Sequence, residues 1–289
     1  MPTLQGPRFF KLQLGLLSLG LLILYAPVFP ELWRDWNQDP NYGYGIFVPF
    51  ISAFCVWHKR KEIAQIRPVP YGPGLLIVLF GLSIYLIGIA GNELFSTRVS
   101  FIVVLLGILM TIWGKQGAKT VSFPLCYLFL MIPLPYILYY AIASPMKLFA
   151  TKWAVYAVDM LHITVHHQGN IIYLPNTTLE VANACSGLRS LTSLLTFGIA
   201  FAYIAQQRFL PRAFLVAAIF PIAVISNILR IVVTALLAVY RGPEAAQGFL
   251  HETSGIVVYT TATILIFGTN EVLRSIRRWT AQPQSMKPS

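Results

Sequence analysis

The sequence predicts an all-α polytopic membrane protein, and three observations carry that prediction. Of the 289 residues, 56% are hydrophobic and only 11% are charged, well below the roughly 25% charged residues usual in a soluble domain. The mean hydropathy is +0.67. Apolar blocks of membrane-spanning length follow one another almost to the C-terminal end, each near the ~20 residues a helix needs to cross the hydrocarbon. These features exclude a soluble globular enzyme, and also a disordered chain, which needs low hydrophobicity. The formal net charge is +11, but the basic residues lie scattered between apolar blocks, so nucleic-acid binding is excluded as well.

Eight spans are expected: Leu12–Phe29, Tyr44–Trp57, Gly74–Ala90, Val99–Trp113, Val121–Tyr140, Leu188–Ala205, Ala213–Tyr240 and Gly255–Val272. The second and fourth are short and extend into their flanks. The first stays as an anchor, because no small-x-small cleavage site follows it and Pro27 and Pro30 stand there instead. A further segment, Pro145–His162, is interrupted by Lys147, Lys152 and Asp159. At 100° per residue these fall in one arc with Thr151 and His162, opposite Phe149, Trp153, Tyr156 and Met160. That pattern predicts an amphipathic helix lying in the interface.

Lys and Arg in short loops mark the cytoplasmic side. With eight spans and both termini inside, the inside set is Arg8, Lys11, Lys59, Arg60, Lys61, Arg67, Lys115, Lys119, Arg208, Arg212, Arg274, Arg277, Arg278 and Lys287, which is 14 of the 21 basic residues. The excess charge is thus an orientation signal. Residues 279–289 read as a flexible cytoplasmic tail on one membrane domain that takes up the whole chain, 1–289. The extracytoplasmic segment is 141–184. There, Ile171–Leu174 and Leu179–Val181 flank a turn at Pro175-Asn-Thr-Thr178 and predict a short β-hairpin or flap.

Several polar residues stand where a membrane protein should not hold them without reason. Cys185 opens the sixth span among Asn183, Ser186, Gly187 and Arg189. A cysteine at a helix N-terminus sees the positive end of the dipole, which lowers its pKa and makes a nucleophile. Cys55 and Cys126 sit in apolar runs and behave as small hydrophobes. Arg230 lies well inside the seventh span, too far from the outer end for easy snorkelling, so it calls for a cavity and a partner. Asn227, three residues earlier, shares its helix face and either orients the guanidinium or binds substrate. His251 opens the eighth span and titrates near neutral pH. His162 and His166 have the spacing of a helical metal pair, but no third ligand follows and Lys147 and Lys152 repel a cation. No metal or cofactor is expected, and His58, beside Lys59-Arg60-Lys61, reads as an interfacial residue.

Taken together, Val181-Ala-Asn-Ala-Cys-Ser-Gly-Leu-Arg-Ser190, Asn227-Ile-Leu-Arg230 and His251 with Gly255 resemble the exosortase/archaeosortase family. Trp33-x-x-Trp36 before Tyr42-Gly-Tyr-Gly45, Phe123-Pro124 with Pro133 and Pro135, and Leu174-Pro175 agree with that resemblance. The chain carries Tyr44 where members often have a histidine, which bears on the subfamily and hence on the cognate signal. The resemblance implies a multi-pass bacterial cytoplasmic (inner) membrane enzyme of the cysteine peptidase/transpeptidase type, its site facing the periplasm or exterior. The implied substrates are secreted proteins with a C-terminal sorting tail of the PEP-CTERM type: a short Pro-containing motif, a membrane helix and a basic cluster. It implies Cys185 as nucleophile, with Arg230 and His251 completing the set, an acyl acceptor of unknown identity, and a link to exopolysaccharide export. Asn183, Ser186, Gly187, Arg189 and Asn227 stand beside them as supporting or substrate-binding residues. Two other classes stand against this reading. One is a transporter or polysaccharide-export subunit using Arg230 for an anion; the other is a non-catalytic assembly factor. Neither explains Cys185 and His251 together.

Overall fold

The computed structural model describes residues 7–175, 177–181, 188–246 and 254–281. It is mostly helical, and it falls into two compact units, Met1–Pro135 and Tyr136–Ser289.

In the first unit, α1 (Pro7–Leu24) and α2 (Val28–Gln38) meet at a 63° bend. The expected first span therefore ends earlier than its hydropathy suggests. Tyr25-Ala26-Pro27 interrupts it, because Pro27 has no N–H with which to continue the ladder. The carbonyls freed at such a break need donors if they lie in lipid. Tyr85 Oη donates to the Leu24 carbonyl at 2.8 Å, and Tyr25 Oη meets Ser100 Oγ at 2.9 Å.

A 3-10 turn, Gly43–Ile46, leads into α3 (Phe47–His58), and α4 (Arg60–Gln65) follows. Then α5 (Gly74–Ala90) pairs with α6 (Leu94–Thr120) as the closest helical hairpin of this unit. Glycines at seven-residue spacing make that approach possible. A Cβ added at Gly81 would stand 2.7 Å from Val104 Cγ2, and one at Gly74 would stand 2.6 Å from the Thr111 nitrogen. Gly114, at φ +68°, kinks α6 directly after Trp113, where the fourth span was expected to end.

The expected fifth span is not one helix. It comprises α7 (Ser122–Tyr127), a 3-10 turn (Leu128–Met131), a break across Ile132-Pro-Leu-Pro135, and then α8 (Tyr136–Asp159) in the second unit. The two prolines enforce the break. Side chains from the start of the chain take up its carbonyls: Trp36 Nε1 donates to Met131 O at 2.9 Å and Tyr42 Oη to Leu134 O at 3.2 Å. Gly45 is glycine because a Cβ there would run into the Trp36 indole, with Cδ1 at 2.6 Å.

In the second unit, α9 (Leu188–Ala205), α10 (Phe209–Arg241) and α11 (Ser254–Ala281) pack on one another, and α8 lies along α10. The face that α8 turns inward is a third one, beside both the charged arc and the aromatics. Ala143, Ala150, Thr151, Ala154 and Val158 are buried, while Phe149, Trp153, Tyr156 and Met160 are exposed. Small side chains let helices approach, and large apolar ones suit lipid. Thr151 is tolerated inside because its hydroxyl donates to the Lys147 carbonyl at 2.9 Å.

The flap is a three-stranded antiparallel sheet, β1 (His166–Gln168), β2 (Ile171–Leu174) and β3 (Thr177–Glu180), in that order. The hairpin read from the sequence is β2–β3, and β1 is an addition. His162, at φ +61°, lies beyond the end of α8, and His166 opens β1. The two therefore do not form a helical metal pair. Ile172, Leu174 and Val181 pack with Ala150, Ala154 and Val158 of α8 and with Ile231, Ala235 and Ala238 of α10. The sheet thus sits on the C-terminal third of α10.

Among the described residues, four helices are long and apolar enough to cross a membrane, or six if two closely spaced helix pairs each count as one span. The expected second and third spans form apolar helices of 12 and 17 residues, short of that length. The chain is a multi-pass membrane protein for which four to six crossings are supported.

Candidate active site

The first element of the site is a polar stripe on α10. Ser226, Asn227, Arg230 and Thr234 recur at helical spacing and are all buried, Arg230 at 6% exposure. Arg230 Nη2 donates to Asn227 Oδ1 at 2.7 Å, and the Thr234 hydroxyl donates to the Arg230 carbonyl at 2.9 Å. A hydrogen bond to a charged group contributes about 1.5–3 kcal/mol. Here it helps to fix the orientation of the guanidinium. Ser226 and Thr234 were not singled out from the sequence, although their spacing from Asn227 and Arg230 is the signal that finds them.

The neighbouring α9 also buries polar residues, Ser190, Ser193 and Thr196. The hydroxyls of Ser193 and Thr196 bond back to carbonyls one turn earlier, at 2.8 Å each, so the helix satisfies its own buried groups. Arg189 is half-buried at the first turn.

Contacts between helices fix the depth of these residues. Gly198 of α9 lies against Ile219 of α10, where a Cβ on the glycine would meet Ile219 Cγ1 at 3.1 Å. The two helices are antiparallel, joined by a short connection at 206–208. Eleven residues further along α10 stands Arg230, and eleven residues back along α9 is the position just before Leu188. At 1.5 Å rise per residue on both helices, Arg230 lies level with the start of α9. The same reasoning applies to α11. Phe201 and Phe267 have ring centroids 4.8 Å apart, and Gln206 Nε2 donates to Asn270 Oδ1 at 2.8 Å. Those contacts set α9 and α11 parallel and in step. Sixteen residues back from the second pair are Ser190 and Ser254, so α11 begins near the depth at which α9 begins.

Cys185, Asn183, Ser186, Gly187 and His251 lie outside the described residues. Cys185 precedes Leu188 by three residues, and His251 precedes Ser254 by three. Of the expected set, the structure therefore locates Arg230, Asn227 and Arg189, and it brings Arg230 and Asn227 into direct contact. Among the described residues, no three His, Cys, Asp or Glu side chains gather as a metal would require.

The opposite end of the α9–α11 bundle is basic. Arg212 Nη2 donates to the Gln206 carbonyl at 2.8 Å and lies over Tyr203, and Arg274 pairs with Glu271 at 3.0 Å.

The first unit holds a second buried arginine, Arg98, to which the sequence drew no attention. Arg98 Nη2 of α6 stands 2.7 Å from Asp35 Oδ2 of α2, with the arginine side chain 4% exposed. An arginine one turn into an apolar helix is the signal that a partner must be sought, and Asp35 of α2 is that partner.

No curated protein and no solved structure matches the chain. A family model described as transmembrane exosortase matches residues 36–268, a range that takes in α9, α10 and the first half of α11 together with Cys185, Arg230 and His251. The chain belongs to the transmembrane exosortase family.

Proposed function

We propose that the protein is a cysteine-type peptidase or transpeptidase that removes the C-terminal sorting tail of secreted proteins at the outer face of the cytoplasmic membrane. The observation that carries the reading is the depth of Arg230. A buried, oriented cation stands level with the start of α9, and Cys185 precedes that start by three residues, a stretch of chain no longer than about 10 Å. α11 begins near the same depth, three residues after His251. The basic far end of the bundle supports a cytoplasmic position for that end under the positive-inside rule, with the sheet and Arg230 toward the exterior in this reading.

In this mechanism the Cys185 thiolate attacks the scissile carbonyl. The tetrahedral intermediate collapses to a thioester as the C–N bond breaks. His251 takes the thiol proton and delivers it to the leaving amine. Arg230, held by Asn227, lends positive charge to the thiolate or the oxyanion. An acceptor amine, or water, then attacks the thioester and returns the thiol. Arg189, Asn183, Ser186 and Gly187 border the nucleophile and contact the substrate.

The test is co-expression with a tail-bearing substrate, scoring tail removal by gel shift. Cys185→Ala is expected to abolish processing while leaving the membrane-inserted protein at normal abundance. Full processing by that variant contradicts the assignment. A transporter reading makes the opposite forecast, since transport needs no thiol.

A further inference from the structure

The sheet ends in a strand whose outer edge is open. Within the β2–β3 pair, the Val181 N–H donates to the Asn170 carbonyl at 2.9 Å, and the register continues through Ile172↔Leu179 and Leu174↔Thr177. Bonded and non-bonded pairs alternate along an antiparallel ladder. Leu179 therefore directs its N–H and C=O to β2, whereas Thr178 and Glu180 direct theirs outward. β3 is the last strand of the sheet, and among the described residues the backbone of Thr178 and Glu180 has no hydrogen-bond partner. Both residues are exposed. Leu179 instead packs with Ile172, Leu174 and Val181 onto α8 and α10, which fixes the strand so that it cannot turn its free edge away. Unpaired strand edges are templates for another chain, and soluble proteins generally blunt them. Thr177–Glu180 holds no proline or bulge, and among the described residues no strand pairs with its outer edge.

We infer that the outer edge of β3 is the docking rail for the substrate: an extended segment of the secreted protein adds there as a fourth strand, bonded through the N–H and C=O of Thr178 and Glu180. The inference rests on the reading of Cys185 as nucleophile, because that residue follows Glu180 by only five positions in the same chain. A peptide paired along β3 is therefore led toward the thiol. Recognition is through main chain, so affinity is supplied by backbone hydrogen bonds and depends little on substrate side chains at the paired positions. A substrate segment with prolines at alternate positions is compatible, since their missing N–H groups then all lie on the side away from β3.

Two measurements test it. Thr178→Pro and Glu180→Pro each delete one outward N–H and leave the β2–β3 bonds intact, and proline is tolerated on an edge strand. Each is expected to raise KM for tail removal about tenfold, the loss of one hydrogen bond, with kcat nearly constant and the melting temperature retained. The second measurement reads binding without chemistry. In a Cys185→Ala chain, a photoreactive benzoylphenylalanine at position 178 is expected to cross-link the substrate just ahead of its membrane helix, and one at Gln168 on the far strand is not. Folded proline variants with unchanged KM, or no cross-link from position 178, overturn the docking edge. Processing that survives Cys185→Ala while the cross-link persists overturns the nucleophile and leaves the edge standing.

Discussion

Among the described residues, each unit of this protein buries one arginine in an apolar helix, and the two are held in different ways. Arg98 in the first unit faces a carboxylate, Asp35, at 2.7 Å. Arg230 in the second is oriented by a carboxamide, Asn227, also at 2.7 Å. An ion pair neutralises the arginine and ties α2 to α6, so its value is structural. The Asn227 carboxamide, by contrast, orients the Arg230 guanidinium through a charge-assisted hydrogen bond. Burial alone therefore does not mark a functional arginine in a membrane: Arg98 ties two helices together, whereas Arg230 is held by a residue of its own helix, level with the start of α9.

The largest effect expected from this comparison is on Arg230. Arg230→Ala is expected to lower the rate of tail removal by about 100–1000-fold, with folded protein retained; Arg230→Lys recovers little, because a point ammonium lacks the planar fork held by Asn227. A rate within threefold of wild type for the alanine variant would erase the distinction between the two arginines. Next comes Arg98→Met. It strands a half-buried Asp35 and is expected to cost about 3 kcal/mol, the low end for a broken buried pair, read as lost thermal stability in detergent. Adding Asp35→Leu is expected to restore most of that stability. No recovery in the double variant would show that Arg98 does more than pair.

Gly81→Leu follows at about 1–3 kcal/mol, since its side chain must displace Val104 from the α5–α6 contact. The smallest effect concerns Glu93, which caps α6 by accepting from the Phe95 and Ser96 N–H groups. Desolvation pushes its carboxyl pKa up, but those bonds, the Ser96 side chain and the nearby Arg98 charge outweigh it and hold it below the usual value. A carboxylate with a depressed folded pKa contributes stability above its unfolded pKa and loses it as pH falls through the folded value. Glu93→Gln is thus expected to lower the melting temperature slightly at pH 7 and to match wild type in strong acid.

Much of this was legible in the residues. The third and sixth expected spans coincide with α5 and α9, because uninterrupted apolar runs with glycine or charge at their ends leave little choice. Two breaks were not legible as breaks. Tyr25-Ala26-Pro27 and Ile132-Pro-Leu-Pro135 are themselves apolar, so hydropathy runs through them, and only side chains distant in sequence, such as Trp36, Tyr42 and Tyr85, make the breaks tolerable. β1 is His166-His-Gln168, which has no strand signal of its own and forms by pairing with β2. On α8, the two-face pattern of charges and aromatics did not reveal the third face, the alanines Ala143, Ala150 and Ala154 with Thr151 and Val158, that the fold buries. At the site, Arg230 and Asn227 were found from the sequence because a guanidinium in an apolar run is costly whatever the fold. The Arg98–Asp35 pair was not, because its partners are far apart in the chain.

The central claim is that Cys185 forms a thioester with the substrate beside the oriented charge of Arg230. Quenching the reaction with acid and probing for an enzyme–substrate adduct tests it most directly. A hydroxylamine-labile adduct in wild type, absent in Cys185→Ala and strongly reduced in Arg230→Ala, is the expected result. Tail removal that proceeds without any such adduct, or an adduct that survives Cys185→Ala, would contradict it.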